Sequence, residues 1–140
     1  GLSYLYISHD LSTVEELCHR VAVMYLSQIV ELGTKEQVFG DARHPYSKGL
    51  LASVLFPDPS RRRVGRELTY ELEGEIPSPI DLPPGCYLAS RCPVALPVCR
   101  EMPQELRPLE DGRQVRCWRA TESGELRDEP VAWRGSSKVS

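Results

Sequence analysis

Leu2-Ser3-Tyr4-Leu5-Tyr6-Ile7-Ser8-His9-Asp10 is an apolar run that stops abruptly at a serine, a histidine and an aspartate. Its apolar residues are nearly continuous rather than alternating, which is the pattern of a strand covered on both faces, as in a parallel sheet. A strand that carries a histidine and a carboxylate to its own end, just ahead of a helix start, puts hydrogen-bonding groups where a phosphate can sit. Such a strand needs parallel neighbours, and the rest of the sequence does not supply them. The isolated chain is therefore expected to pair with a second copy through this edge.

Behind the strand, Ser12-Thr13-Val14-Glu15 has the form of a capping box, so a short helix is predicted to start at Ser12. Val14, Leu17, Cys18 and Val21 follow helical spacing and are expected to face the core, with Cys18 acting as a small hydrophobe. His19, at the helix end, would complement the carbonyl dipoles there. Val21 to Leu26 and Ile29 to Leu32 read as a hairpin turning at Ser27-Gln28, although these are not favoured turn residues. Thr34-Lys35-Glu36-Gln37 is a second capping-box pattern, opening a brief helix that buries Val38 and Phe39 before Gly40. His44-Pro45-Tyr46-Ser47 then leads into a helix over Lys48 to Leu55. Here His44 is forced extended by the following proline and Tyr46 begins the apolar face with Leu50, Leu51 and Val54.

The chain changes character after Pro57. Arg61, Arg62, Arg63 and Arg66 mark a solvated linker, and Leu68 to Leu72 is a potential edge strand. Between residues 73 and 120 prolines recur too often for long regular elements. Beyond Ala120 the polar sequence reads as a frayed tail. The net charge of −3, from 17 basic and 20 acidic residues, gives no electrostatic footprint for nucleic acid. No apolar segment approaches the roughly 18–20 residues that span a bilayer, and an intracellular setting is the expectation.

Cys86, Cys92, Cys99 and Cys117 gather in the proline-rich segment, with five, six and seventeen residues between successive members. In a reducing compartment clustered cysteines are more often metal ligands than disulfides. Structural zinc sites favour close Cys-x-x-Cys knuckles, which are absent, whereas open spacing suits an iron–sulfur cluster. Zinc, disulfides and free thiols stay open as alternatives. Arg91, Arg100 and Arg116 lie beside these cysteines in sequence and could offset thiolate charge.

The order of Tyr4 to Leu11, Arg20 to Tyr25 and Gln28 to Gly33 resembles the end of the nucleotide-binding domain of ABC transporters, with Ser8-His9-Asp10 at the switch loop. His44-Pro45-Tyr46 is similar to the motif of the ATPases that drive oligopeptide and dipeptide importers, and Gly85-Cys86 through Cys99-Arg100 resembles their C-terminal extension. The resemblance implies an α/β fragment: the end of a P-loop (ABC) nucleotide-binding domain at residues 1–57, a linker at 58–72, a small cysteine-containing extension at 73–120 and a tail at 121–140.

It further implies that His9 hydrogen-bonds the γ-phosphate of ATP, that Ser8 and Asp10 lie at the nucleotide and dimer interface, and that the four cysteines hold a four-iron, four-sulfur cluster. In the intact protein ATP and Mg would be the cofactors. A second ATPase subunit and transmembrane permease subunits would be the partners, at the cytoplasmic face of the membrane. Peptides are the expected cargo, with nickel and glutathione as relatives of that class. The sequence contains no Gly-x-x-x-x-Gly-Lys-Ser/Thr loop, no Leu-Ser-Gly-Gly-Gln signature and no apolar strand ending in Asp-Glu, so this fragment alone is expected not to hydrolyse ATP. A stand-alone iron–sulfur or zinc module is the alternative.

Overall fold

The computed structural model describes residues 2–55, 72 and 74–121. The arginine-rich linker, nearly all of the proposed edge strand at 68–72, and the tail beyond 121 lie outside them. Helix α1 spans Leu11–Leu17, strands β1 and β2 span Arg20–Tyr25 and Gln28–Thr34, and helices α2 and α3 span Lys35–Gly40 and Pro45–Leu55. Helix α4 at Pro97–Glu101 precedes two short strands, β3 at Arg107–Pro108 and β4 at Gln114–Val115. The sheet runs β1-β2-β4-β3, and every pair is antiparallel. The molecule is thus a small α/β unit built on an antiparallel sheet, and the parallel strand expected at its start is not formed. Leu2, Tyr4, Leu5 and Ile7 are extended from the body and each is more than four-fifths exposed. Their sequence has the composition of a buried strand, but a strand exists only where its backbone is paired, and no described residue pairs with them.

Local signals set most of the remaining elements. Helix α1 is capped by Asp10, two residues earlier than predicted: its carboxylate accepts the N–H of Ser12 at 3.2 Å and that of Thr13 at 3.5 Å. Because the helix ends at Leu17, Val14 alone of its residues is buried, Leu17 points to solvent, and His19 is exposed beyond the end. The second capping box forms as read, with Gln37 N–H donating to Thr34 Oγ1 at 3.2 Å and Thr34 N–H to Gln37 Oε1 at 2.9 Å.

In β1 burial alternates, with Val21 and Tyr25 inward. The hairpin closes one residue earlier than predicted. Tyr25 pairs with Gln28, which leaves Leu26 and Ser27 as the turn, at φ 46° and 65°. This is the doubly left-handed conformation that suits the twist of a hairpin. Further along, Val23 faces Glu31 while Met24 faces Ile29, so Val30 is an extra residue in β2. That bulge breaks the alternation and lets the adjacent Val30 and Glu31 both be buried.

Three small cores result. Val14, Val21 and Val38 join α1 and α2 to β1, with Cys18 half-buried against them. Tyr25, Val30 and Leu88 hold the proline-rich segment to the hairpin, with Tyr46, Cys86 and Cys92 packed around them. Leu109, Val115 and Ala120 form the third, against Cys117. Since β4 pairs with β2, residues 114–115 extend the sheet begun by the hairpin.

Candidate functional site

The Ser8-His9-Asp10 turn is organised around the helix cap. Ser8 Oγ accepts the Asp10 N–H at 2.9 Å, and Thr13 Oγ1 donates to Asp10 Oδ2 at 2.8 Å. The Thr13 hydroxyl, followed by the Thr13 N–H, holds the Asp10 carboxyl below its ordinary range. His9 itself is exposed, so its ring is open to a ligand from outside.

The second constellation is assembled from distant parts of the chain. Glu31, inward because of the β2 bulge, is wholly buried and accepts the N–H groups of Arg43 at 3.1 Å and His44 at 2.8 Å. It thereby receives donors at the entrance of α3, as a capping residue does, but from another strand. Burial raises its carboxyl, opposed by the His44 and Arg43 N–H groups. The buried Arg113 guanidinium lies 3.7 Å away and is gripped by Asp111 at 2.7 Å, which ties the β3–β4 loop to the same point.

His44 is 1% exposed, and its Nδ1 accepts the Tyr46 N–H at 3.1 Å. The Arg116 backbone favours the protonated ring, against the larger effect of burial. Burial, with Arg116 nearby, depresses the imidazole from 6.5 to about 3, so it is neutral. Arg116 is anchored in turn through its N–H to Val30 O, its Nε to Ile29 O and its Nη1 to Gln104 O, each at 2.8 Å. Gln104 Oε1 accepts the Trp118 N–H at 3.0 Å. The ring of Tyr46 packs on that of Tyr25 with centroids 4.8 Å apart.

All five cysteines are free thiols. Gly85 lets two of the segments touch. A Cβ there would lie 2.2 Å from Cys99 O, and the Cys86 N–H donates to that same carbonyl at 2.6 Å. Burial pushes the Cys86 thiol up to about 11, and Cys99 and Cys92 raise it further. Burial likewise pushes Cys117 up to about 12, and Cys86, Cys92 and Cys99 all add to that. The four are therefore electrostatic neighbours.

The Cys99 sulfur accepts the Leu96 N–H at 3.4 Å, and the backbone N–H groups of Leu88 and Ala89 near Cys86, of Val94 near Cys92 and of Arg119 near Cys117 oppose the effect of burial on those thiols. Amide donors aimed at sulfur favour the thiolate and are the usual surroundings of a thiolate-bound metal. The donor set thus fits a metal–thiolate centre in chemistry, while among the described residues no three His, Cys, Asp or Glu side chains are gathered closely enough to hold an ion.

Sequence reasoning placed Arg91, Arg100 and Arg116 beside the thiols. In the structure burial raises the Cys92 thiol, opposed in small part by Arg119 and Arg100, whereas Arg91 donates to the Tyr25 hydroxyl and Arg116 braces backbone. It missed Glu31, Arg113, Gln104, Arg119 and Gly85. A buried-strand pattern interrupted by a glutamate is the one signal that could have revealed Glu31.

The structure thus sets an exposed histidine at a capped turn and a His-Pro-Tyr helix against the hairpin that also packs on the cysteine segment. The family of the oligopeptide/dipeptide transporter C-terminal region matches residues 30–99, and the chain belongs to it. A probable peptide ABC transporter ATP-binding protein of Sinorhizobium fredii is 47% identical over 117 residues, covering 84% of this chain and 32% of the relative. The dipeptide transport ATP-binding protein DppF of Haemophilus influenzae is 45% identical, covering 84% and 35%. The oligopeptide transport ATP-binding protein OppF of Salmonella typhimurium is 45% identical, covering 80% and 32%. The chain thus spans about a third of the length of the curated relatives it matches. Nothing in these comparisons supports a stand-alone metal-binding module. No helix among the described residues is long and apolar enough to cross a membrane.

Proposed function

We propose that the longer protein to which this chain belongs is the ATP-binding subunit of an ABC importer for oligopeptides or dipeptides. It would hydrolyse ATP with Mg at the cytoplasmic face of the membrane, alongside a second ATPase subunit and permease subunits. The observation that carries this reading is the family match from β2 through the His-Pro-Tyr helix to the first three clustered cysteines, with peptide-transport ATP-binding proteins matching 84% of the chain. Phosphate-gripping and Mg-binding groups would come from the rest of the protein. His9 would supply a hydrogen bond to the γ-phosphate and hold the attacking water, a positioning and electrostatic role. Asp10 would set the loop by capping α1, and Ser8 would brace it. In the full-length protein His9→Ala is expected to lower ATP turnover by about 10²–10³-fold. Turnover unchanged by that substitution overturns the assignment.

The finer reading of the extension is a four-iron, four-sulfur cluster on Cys86, Cys92, Cys99 and Cys117, with zinc as the alternative metal. It is supported by the electrostatic influence of the four thiols on one another and by the Leu96 N–H donated to the Cys99 sulfur. Such a group would supply a reducible crosslink between segments. Anaerobically purified full-length protein is expected to contain iron and sulfide in equal amounts, whereas zinc, or no metal, refutes the cluster. The exposed Leu2–Ile7 run supports one further reading, that the isolated fragment dimerises through it. Sedimentation as a monomer at high concentration rejects that.

A further inference from the structure

A cavity of about 90 Å³ lies where the hairpin, the entrance of α3 and the proline-rich segment meet, with Gln28, His44, Cys86, Gln104 and Arg116 in its wall. We propose that it is a binding site for a small carboxylate, of the size of formate or acetate, gripped by Arg116. The reading uses neither the role given to His9 nor the cluster. Cys92, Cys99 and Cys117 are not in the wall.

Charge, hydrogen bonding and size carry it. The wall contains no Asp or Glu, and among the described residues no acidic side chain pairs with Arg116. The half-buried guanidinium is fixed by Nε on Ile29 O and Nη1 on Gln104 O, both at 2.8 Å, and its remaining N–H donors have no described partner. Ile29 lies between the wall residues Gln28 and Val30, and Gln104 is itself in the wall, so both bonds hold the cation at the cavity's edge. The acceptors around it are already in use. Gln104 Oε1 takes the Trp118 N–H at 3.0 Å, His44 Nδ1 the Tyr46 N–H at 3.1 Å, and the Tyr25 hydroxyl an Arg91 N–H at 3.3 Å. A cavity rich in donors and short of acceptors is complementary to an anion, and the guanidinium fork matches the two oxygens of a carboxylate. Since a cavity of roughly 150 Å³ accepts benzene, one of about 90 Å³ accepts roughly three or four non-hydrogen atoms. That admits formate or acetate and is too small for a peptide end, whose carboxylate carries a whole residue behind it.

Gln28→Glu tests the charge argument without touching Arg116. The side chain keeps its size, sits half-buried in the wall and supplies the carboxylate that Arg116 lacks. Arg116→Lys keeps the positive charge and loses the fork. The measurement is saturable broadening of the carbon-13 acetate resonance by full-length protein, at constant ionic strength with chloride as the balancing anion. The urea midpoint of each variant reports its folding.

Wild type is expected to bind acetate and formate saturably, and to bind butyrate and alanylalanine far more weakly. Gln28→Glu and Arg116→Lys are each expected to weaken acetate by at least about tenfold, the scale of one charged hydrogen bond. No saturable acetate binding in wild type, butyrate or alanylalanine bound as tightly as acetate, or an unchanged acetate affinity in either folded variant overturns the proposal. Should Arg116→Lys fail to fold, Gln28→Glu and the size series decide alone. A second anion site elsewhere in the full-length protein would not respond to Gln28→Glu, so that variant ties the binding to this cavity.

Discussion

Glu31 and His44, thirteen residues apart, are joined by a 2.8 Å hydrogen bond from the His44 N–H to the Glu31 carboxylate, with both side chains enclosed. The carboxylate thus anchors the residues just ahead of α3, while the His44 ring takes the Tyr46 N–H inside its first turn. Strand β2 and the helix cannot shift independently, and Arg113 extends the constraint to the β3–β4 loop.

Glu31→Ala strands the Arg43 and His44 N–H groups and removes a counter-charge from buried Arg113. The expected loss is about 3–5 kcal/mol, read as a lower urea midpoint of the full-length protein. A loss under about 1 kcal/mol would contradict this anchoring role.

Acid sensitivity should trace to His44. Unfolded, the imidazole takes a proton near 6.5; folded, it does so only near about 3. Between those values the unfolded state binds more protons, so stability falls as pH drops, by up to about 1.4 kcal/mol per pH unit. Glu31 acts in the opposite sense: its carboxyl is raised from 4.5, and its contribution is lost as pH rises from there through its folded value. Comparing wild type with His44→Gln isolates the histidine. The variant should lose less stability on going from about pH 7 to about pH 5, and parallel profiles would refute the assignment.

Two glycines should respond in opposite ways. At Gly85 a methyl group would meet Cys99 O at 2.2 Å and Arg100 C at 2.7 Å, both backbone atoms that cannot step aside. Gly85→Ala should therefore cost about 1–3 kcal/mol and accelerate alkylation of Cys86. At Gly40, the last residue of α2, an added methyl would have nothing within 4 Å, and Gly40→Ala should stabilise by about 0.5–1 kcal/mol. Thermal melts of the two variants moving in the same direction would refute this.

The hairpin turn holds strain that can be relieved. Ser27 is exposed at φ 65°, and Ser27→Gly should raise stability by roughly 1 kcal/mol. Leu26 shares the left-handed geometry but also packs on the Tyr25, Val30 and Leu88 cluster, so Leu26→Asn should gain less. Equilibrium urea unfolding of both variants checks the order.

Elements fixed by neighbours in sequence were legible: the hairpin, the Thr34–Gln37 box and the helix after His44-Pro45. Where two cap residues compete, pattern alone misplaces the helix start. Ser12 looked sufficient, but the Asp10 carboxylate reaches two amides and a hydroxyl. The turn slipped by one because strand register, not turn preference, decided it. Leu2 to Ile7 read as a buried strand because composition carries no information about whether a pairing partner is at hand. Strand β4 has two residues and no periodicity, so its pairing with β2 could not be read locally. The clustered cysteines were visible as donors, but the close approach at Gly85 that sets Cys86 against the Cys99 carbonyl depends on long-range packing.

The pairing of β2 with β4 joins Leu32 to Gln114 and Glu31 to Val115. During synthesis the outer edge of β2 must wait for more than eighty further residues, about 4–16 s at ordinary ribosomal rates. Through that interval a bare strand edge and an uncovered glutamate travel with the nascent chain. The product is thus open to chaperone capture or mispairing until β4 emerges.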